Sequence, residues 1–532
     1  MSERILVSVE DLARDIQKNV VDIEDFNERV VGAYNDGSAE KGLEADDQVA
    51  RSIIPAATGA LRDFSYIAPD IPLFLSENCV GCMDCVTECP DTAILGKVVE
   101  PPTLEAKLGN ITNEEERKTM ANQWSVTNKY FNVLEKKNPG SGGKFGIFID
   151  PSKCKGCAEC VDACGDHNAL KMVAKDDKNM EWYKAAFKFY RELPETPKKF
   201  INEKALADMM LAERGLLYVG GADSCMGCGE ATALRMMLAA TGFVYGQENI
   251  GMVASTGCNT VYTSTYPYNP YRIAWTNSLF EDAPAVSMGI RARWDVQGWQ
   301  KKRLWIVGGD GAMNDIGFQS LSRMLASGMD IKVIVLDTQV YSNTGGQTST
   351  SSFKGQDAKM SFHGKVIQGK KENRKELANI CLMHKDVYVA QTTCSHVNHF
   401  YKAVMDANDY SGPAVINVYT TCQPEHGVGD NMAEHQAKLA ADSRSFPVFI
   451  YDPRKGSKIK ERLSLAGNPN VKDDWYVNPK TGEPVDFITF ARSEGRFAKH
   501  FDKDGNPSAV LLAANQDRLE NWHLLQELAG VK

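Results

Sequence analysis

Two runs of four cysteines constrain this chain more than any other feature. Cys79, Cys82, Cys85 and Cys89, followed by Pro90, read C-x2-C-x2-C-x3-C-P. Cys154, Cys157, Cys160 and Cys164 repeat the spacing, with Gly165 where the proline would stand. Three thiolates two residues apart wrap three corners of a cubane, and the fourth, beyond the turn, ligates the other cluster. The spacing predicts one [4Fe-4S] cluster on Cys79, Cys82, Cys85 and Cys164, and a second on Cys154, Cys157, Cys160 and Cys89. Structural zinc is the competing reading, but zinc sites use two separated ligand pairs rather than runs of four.

The rest of the composition agrees with metal or redox chemistry. The chain has 14 cysteines, and its first residues, MSERILVSVEDLARDI, lack a signal-peptide core. Without export, such a cysteine count points away from disulfides. With 532 residues, 43% of them apolar and 24% charged, several globular domains are expected. A net charge of −9 argues against binding nucleic acid or an anionic membrane. No stretch approaches the ~20 apolar residues that span a bilayer. These features predict a soluble, cytoplasmic protein.

Pattern divides the chain into five parts. Residues 1–70 are polar with patchy helical periodicity and read as an N-terminal arm. Residues 71–177 carry the quartets, separated by a polar insert from Asp91 to Lys153 whose PGSGG run marks a loop. Residues 178–214 read as a connector. Between 215 and 460, the runs NIGMVAST, RLWIVGG, DIKVIVLD, DVYVAQT and PAVINVYT read as buried strands. EATALRMMLAATG, DIGFQSLSRMLASG and SHVNHFYKAVMDAND read as helices between them. Short apolar strands alternating with helices predict an α/β fold with a parallel sheet covered on both faces, and ligands beyond the strands' carboxyl ends. Residues 461–532 form a C-terminal extension without strand rhythm.

Those carboxyl ends hold the remaining chemistry. Cys225 and Cys228, in SCMGCGE, precede a helix; as a bare CxxC they suit a redox dithiol or half of a zinc site. Cys258 follows NIGMVAST and Cys422 follows PAVINVYT. The four together would make a third cubane, while Cys258 and Cys422 alone read equally well as buried thiols. The strand RLWIV ends in Gly308, Gly309, Asp310 and Gly311, and the next strand ends at Asp337 before a loop from Thr338 to Asn343. Glycines let a backbone approach a diphosphate, and Asp310 offers a hard oxygen to a divalent cation. This is the layout of a thiamine diphosphate site, except that Asp337 stands where an asparagine is usual.

GDGAMNDIGFQSL, LASGMDIKVIVLDTQVYSNTGGQ and AWTNSLFEDAPAVSMG, with STGC, CMGCGE and the quartets, resemble pyruvate:ferredoxin oxidoreductase over residues 73–460. The quartets by themselves resemble bacterial two-cluster ferredoxins. The resemblance implies a thiamine-diphosphate-binding domain beside a ferredoxin-like domain with an inserted loop. It implies Mg2+ held by the Asp310 carboxylate, the Thr338 hydroxyl and the Val340 carbonyl, with Gly309 and Gly311 beside it and Asn343 contacting the cofactor. It implies a third [4Fe-4S] cluster, nearest the thiamine, on Cys225, Cys228, Cys258 and Cys422. Coenzyme A would be the co-substrate and ferredoxin or flavodoxin the electron acceptor, with carbon dioxide release or fixation as the two directions of one reaction. The glutamate that activates the thiamine ring belongs, in that family, to a pyrimidine-binding domain. No second α/β pattern here supplies it, so an α-type partner subunit is implied, in a heterodimer or a dimer of heterodimers.

Three alternatives stand beside that reading: the same chemistry on 2-oxoglutarate or another 2-oxo acid, a polyferredoxin-like carrier without thiamine, and a non-redox thiamine enzyme. The charged stretch Lys171–Lys204 reads as a solvated helix face, and EWYKAAFKFY as helical packing. Cys381 and Cys394 read as core thiols. His363, His384, His396 and His399 read as surface or packing residues, and His426, close to Cys422, as the histidine with a local role.

Overall fold

The computed structural model describes residues 22–532 except 44, 45, 47, 365 and 366. The segment read as a chain start without a signal core, and most of the first third of the N-terminal arm, lie outside the described residues.

The cysteine region is built as two matching halves. Strand β1 (Asp70–Phe74) leads into the first quartet, which runs through helix α1 (Asp84–Thr87) into β2 (Ile94–Val99). A short strand, β3 (Trp124–Ser125), follows within the insert. Strand β4 (Lys144–Ile149) leads into the second quartet, which runs through α2 (Glu159–Cys164) into β5 (Leu170–Ala174). The halves exchange partners: β1 pairs antiparallel with β5, and β2 with β4. Phe74 therefore faces Leu170, and Ile94 faces Ile149, at the ends next to the cysteines. The insert is less polar than its sequence suggests. Every residue of β2 is buried, as are all but the first of β4. Strands β2, β3 and β4, all within the insert, form a three-stranded sheet of their own beside the β1–β5 pair, so the insert is not simply a loop.

Helix α3 (Asp177–Glu192) is capped by Asp176, whose side chain accepts from the Asn179 amide in a reciprocal capping box. Its Tyr183, Ala186, Phe189 and Tyr190 are buried, as the helical spacing predicts.

The larger unit is α/β. An eight-stranded sheet contains β6 (Ile250–Ser255), β7 (Ala274–Ser278), β8 (Arg303–Gly309), β9 (Lys332–Asp337), β10 (Tyr388–Thr393), β11 (Ala414–Tyr419), β12 (Phe449–Tyr451) and β13 (Leu463–Ser464). Across the sheet the order is β13, β12, β10, β11, β9, β8, β6, β7. All pairings from β10 to β7 are parallel, and β12 and β13 close one edge antiparallel. The β-branched runs expected as strands occupy the centre, buried on both faces. The sequence reading missed β7, an edge strand whose residues are mostly exposed, because AWTNS has neither a continuous apolar run nor alternation. Helices α4 (Gly229–Tyr245) and α8 (Val397–Asp409) cover one face. The other is covered by α6 (Ala283–Val296), α7 (Phe318–Leu325) and the C-terminal helix α10 (Ala509–Leu528). A four-residue helix, α5 (Cys258–Val261), follows β6 directly. No helix among the described residues is long and apolar enough to cross a membrane.

The C-terminal extension is helical and packs into the α/β core. Helix α9 (Phe487–Arg492) contributes Phe487 and Phe490 to an aromatic cluster with Phe353, Tyr419 and Phe497. Trp522 on α10 is fully buried, donates from its indole to the Asp473 carbonyl at 2.9 Å, and lies under the Arg444 guanidinium at 4.1 Å. Trp522→Ala is expected to cost about 3–5 kcal/mol, since the indole leaves a cavity and strips a buried cation of its aromatic face. Chemical denaturation of the purified chain measures it, and a loss under about 1 kcal/mol would mean that the extension is only loosely attached.

Candidate functional site

The sheet order assembles the site. Strands β11, β9, β8 and β6 are consecutive neighbours running in one direction, so their carboxyl ends emerge side by side. Those ends lead to Cys422, Thr338, Asp310 and Cys258 respectively. A cavity of about 360 Å³ opens above them. It is lined by Gly309, Asp310 and Gly311, by Thr338, Val340 and Asn343, and by Cys258 and Glu230. Every residue predicted to hold the diphosphate and its cation therefore borders one space. Gly311 admits no side chain: a Cβ there would stand 2.4 Å from the Tyr341 ring.

Asp310, Thr338 and Val340 also meet one another. The Thr338 hydroxyl lies 3.3 Å from Asp310 Oδ1 and 3.1 Å from the Val340 carbonyl, and all three residues are buried. The other carboxylate oxygen of Asp310 accepts from Ser349 Oγ at 2.5 Å. A carboxylate, a hydroxyl and a carbonyl converging on one point form a hard-oxygen set suited to Mg2+, which takes one or two protein carboxylates and fills its shell with phosphate oxygens and water. Burial, then the nearby Asp337, pushes the Asp310 carboxyl up to about 8. A bound cation reverses that by favouring the charged form.

Asp337, the departure from the usual asparagine, lies under the site rather than in it. Its carboxylate is buried, pairs with the Arg374 guanidinium, and accepts from Ser351 Oγ at 2.9 Å and Asn417 Nδ2 at 3.3 Å. Arg374 is the reason an acid is tolerated here, because a buried charge requires a partner. His426 has the local role read for it. Its Nε2 donates to the Thr338 carbonyl at 2.9 Å, and burial holds the ring far below its ordinary pKa, hence neutral. Behind it, Arg496 from the C-terminal extension donates to Glu494 at 2.5 Å and to Gln339 Oε1 at 3.1 Å. The extension thus braces the loop that carries Thr338 and Val340.

Glu230 was not singled out in the sequence. It lies two residues after Cys228, is 4% exposed, borders the same cavity, and its Oε2 has no hydrogen-bond partner. Burial, then the charge of Asp310, pushes its carboxyl up to about 8. Held neutral, it carries an O–H to offer an anion in the cavity. The only signal was an acid inside CMGCGE at the start of an otherwise apolar helix.

The cysteines group as the crossed pattern predicts. Cys79, Cys82, Cys85 and Cys164 line one cavity of about 340 Å³, and Cys89, Cys154, Cys157 and Cys160 another of about 390 Å³. The loops repeat conformation as well as spacing: Gly81 and Gly156 precede the second cysteine with φ of +75° and +71°. Met83 and Ala158 follow it, also left-handed, at +76° and +66°. A left-handed residue on each side of the second cysteine curls the backbone around the space the cysteines face. Among the described residues, no three His, Cys, Asp or Glu side chains close on a point as the ligands of one ion would. The thiols line the two cavities instead. Burial pushes the Cys82 thiol up to about 11 and the Cys154 thiol to about 12, so each needs a metal to become a thiolate.

Cys225, Cys228, Cys258 and Cys422 come together from three loops. Cys228 lies near enough to Cys225 and Cys422, and Cys258 to Cys228 and Cys422, that a thiolate on one disfavours a thiolate on the next. The Gly229 amide donates to the Thr421 carbonyl at 3.1 Å, tying the CxxC loop to the Cys422 loop. Cys228 caps α4, Cys258 begins α5, and Cys422 caps the short helix Gln423–His426. Cys381 and Cys394 are buried in the cores, as read.

Comparison with known proteins agrees with this geometry. Residues 255–418 match the family model of the thiamine pyrophosphate enzyme C-terminal TPP-binding domain. The chain is 27% identical to the pyruvate-flavodoxin oxidoreductase of Rhodospirillum rubrum and 28% identical to the pyruvate:ferredoxin oxidoreductase of Moorella thermoacetica. Each alignment covers 87% of this chain and 42% of the relative. A probable pyruvate-flavodoxin oxidoreductase of Escherichia coli is 26% identical, over 76% of this chain and 38% of that protein. The chain thus spans about two fifths of the length of the curated relatives it matches. The resemblance read from the motifs holds for the thiamine-binding portion.

One prediction follows from Glu230. In the empty cavity its folded pKa lies above its unfolded one, so the native state keeps a proton that the unfolded chain releases. The stability this confers is complete below about pH 4 and is lost as pH rises to about 8, with a slope of about 1.4 kcal/mol per pH unit. Thermal unfolding of the cofactor-free chain from pH 5 to 8 should show this decline on top of the one from Asp310, which is raised to the same value, and Glu230→Gln should make the slope shallower by about that amount. An equal slope in the variant would show that Glu230 does not titrate in that window.

Proposed function

We propose that this chain is the diphosphate-binding and electron-transfer part of a CoA-dependent 2-oxoacid:ferredoxin oxidoreductase, with pyruvate as the substrate. The observation that carries this reading is the delivery of Asp310, Thr338 and Cys258 to one cavity by adjacent strands. It supports a cation site of hard oxygens beside Cys258, which would be a ligand of the third cluster. The three relatives described above, named as pyruvate-flavodoxin or pyruvate:ferredoxin oxidoreductases, support pyruvate over another 2-oxo acid. A polyferredoxin without thiamine is disfavoured by the match of residues 255–418 to a thiamine-binding domain, and a non-redox thiamine enzyme by the eight quartet cysteines.

Asp310, Thr338 and the Val340 carbonyl would hold Mg2+ and, through it, the cofactor's diphosphate. When bound, thiamine diphosphate supplies the electron sink for decarboxylation of the 2-oxo acid. Glu230 donates its proton to the anionic tail, Gly311 lets the backbone approach it, and His426 fixes the Thr338 carbonyl so that the loop keeps its shape. Asn343, exposed on the cavity's lining, would contact the bound cofactor. The cysteines offer three cluster sites in series. The Cys225, Cys228, Cys258 and Cys422 group adjoins the cofactor cavity, the Cys89 pocket packs against the Cys225 loop, and the Cys79 pocket adjoins an open groove lined by Ser76, Trp124 and Val126. Electrons would leave by that groove to ferredoxin or flavodoxin.

The pyrimidine end of the cofactor, with its activating glutamate, would come from an α-type subunit. Large apolar side chains support such a cover. Val261 on α5, Leu279 beside the cavity residue Phe280, and Ile316 at the end of the turn begun by Gly311 are each at least half exposed around the mouth. A covering subunit would bury them.

Anoxic purification with the co-purifying subunit tests the reading. About twelve iron atoms per chain are expected, with bound Mg2+ and thiamine diphosphate, and reduction of ferredoxin by pyruvate plus coenzyme A. Asp310→Ala should lose Mg2+ and thiamine diphosphate and fall at least about 100-fold in activity while keeping its iron. A variant that still oxidises pyruvate at the parental rate would remove the assignment.

A further inference from the structure

The seam between the cysteine unit and the α/β domain contains a buried cation placed between two cysteine groups. Lys155 lies between Cys154 and Gly156, inside the second quartet, and is 4% exposed. Its ammonium crosses the seam. It donates to the Ala222 carbonyl at 2.9 Å, the Ser224 carbonyl at 2.8 Å and Ser224 Oγ at 3.0 Å, and pairs with Asp91 Oδ1 at 2.8 Å. Ser224 immediately precedes Cys225, and Asp91 follows Cys89 by two residues. Ser224 Oγ in turn lies 3.3 Å from the same Asp91 oxygen. One side chain thus ties a loop of the third cysteine group to the pocket of Cys89, Cys154, Cys157 and Cys160.

A second tie runs parallel to it. Helix α4 begins just after Cys228, and its Thr232 hydroxyl donates to the Glu88 carbonyl at 3.2 Å. Arg235, one turn on and also buried, donates to the carbonyls of Val86 and, at 2.6 Å, Thr87. These are the last carbonyls of α1, which a helix end leaves without intrahelical partners. For stability alone, a buried Lys155–Asp91 pair gains little over an apolar replacement. A fixed positive charge does have an effect here: it favours whatever state of a neighbouring group carries more negative charge, and does so strongly where water is excluded.

We propose that Lys155 is a positioning and potential-setting residue of the electron path, holding the Cys225 loop against the Cys89 pocket and favouring the reduced state of the cluster in that pocket, with Asp91 as its counterweight. The proposal rests on the electron-relay reading above. One electron leaves the cluster of Cys225, Cys228, Cys258 and Cys422, which is oxidised, and enters the cluster of Cys89, Cys154, Cys157 and Cys160, which is reduced and gains one negative charge. Lys155 lowers the energy of that added charge.

The test is an EPR-monitored redox titration of the purified complex with its iron in place, comparing Lys155→Met, Lys155→Arg and Asp91→Asn with the parent. Lys155→Met should lower the midpoint potential of one cluster by a tenfold or larger change in its one-electron equilibrium, about 59 mV. Lys155→Arg should restore the parental value. Asp91→Asn should raise the potential of the same cluster, because Lys155 keeps its three acceptors on Ala222 and Ser224 while its neutralising partner is gone. Opposite signs are what a disturbance of packing would not produce. Potentials unchanged in a fully iron-loaded Lys155→Met, or shifted in the same direction by Lys155→Met and Asp91→Asn, would overturn the proposal and leave the relay intact. If Lys155→Met loses iron, the comparison of Asp91→Asn and Lys155→Arg decides by itself. A parent complex without iron would end the relay reading, and this proposal with it.

Discussion

Four neighbouring strands running the same way, β11, β9, β8 and β6, are the constraint on which the functional architecture depends. A parallel sheet sends every carboxyl end to the same edge, so residues far apart in sequence arrive together there without contacts of their own. Asp310 and Thr338 meet because β8 and β9 are paired in register, with Gly309 opposite Leu336. Cys258 and Cys422 flank them because β6 and β11 lie on either side. The CxxC pair cannot arrive by this route, since no strand delivers it. It reaches the edge on the N-terminus of α4, which crosses the sheet face, and is pinned by the Gly229 amide on Thr421. The contact is close enough that a Cβ at Gly229 would stand 2.6 Å from the Thr421 nitrogen.

Building that edge places acids where water does not reach, and much of the surrounding structure offsets the cost. Asp310 and Glu230 are held in their neutral forms, Asp337 is paired with Arg374, and Glu494 with Arg496. The two ion pairs are fully desolvated, and losing one partner of such a pair costs about 3–5 kcal/mol. The asymmetry is informative. The acids under the loop have permanent partners, whereas the acids facing the cavity have none stronger than a hydroxyl. Groups left raised and unpaired in a cleft mark the place where a ligand completes the electrostatics. The C-terminal extension belongs to the same logic, since Arg496 and Glu494 reach the loop only because α9 and α10 are packed into the α/β core.

The sequence made the central strands and the cysteine framework legible for different reasons. Buried parallel strands appear as continuous β-branched runs, so β6, β8, β9, β10 and β11 stand out, while β7, half exposed at the edge, does not. The quartets are visible because cluster ligation fixes spacing within one short segment. Glu230 and Lys155 were invisible as functional residues because their roles depend on partners from other segments. An acid in an apolar helix and a lysine between two cysteines have no local signature; burial and a partner across a seam are tertiary properties. Asp337 looked like a defect in a motif because its partner, Arg374, lies 37 residues away. The insert looked polar because its apolar content is concentrated in two short strands separated by charged helices.

Why the cysteine unit is fused to the α/β domain, rather than tethered beside it, follows from the core. Cys85, Cys89, Cys154, Cys160 and Cys164 share one continuous buried cluster with Leu234, Met236 and Leu238 of α4 and with Trp305 and Ile334 of the sheet. A single apolar core through both units fixes the separation of the cysteine groups far more firmly than a linker would, and transfer between clusters depends steeply on separation. The same seam holds buried polar groups that reach from one unit to the other. Lys155, Asp91, Ser224, Thr232 and Arg235 are buried among apolar neighbours, and each makes at least one bond across the boundary. In a seam of this kind the polar residues choose the register and the apolar residues supply the adhesion.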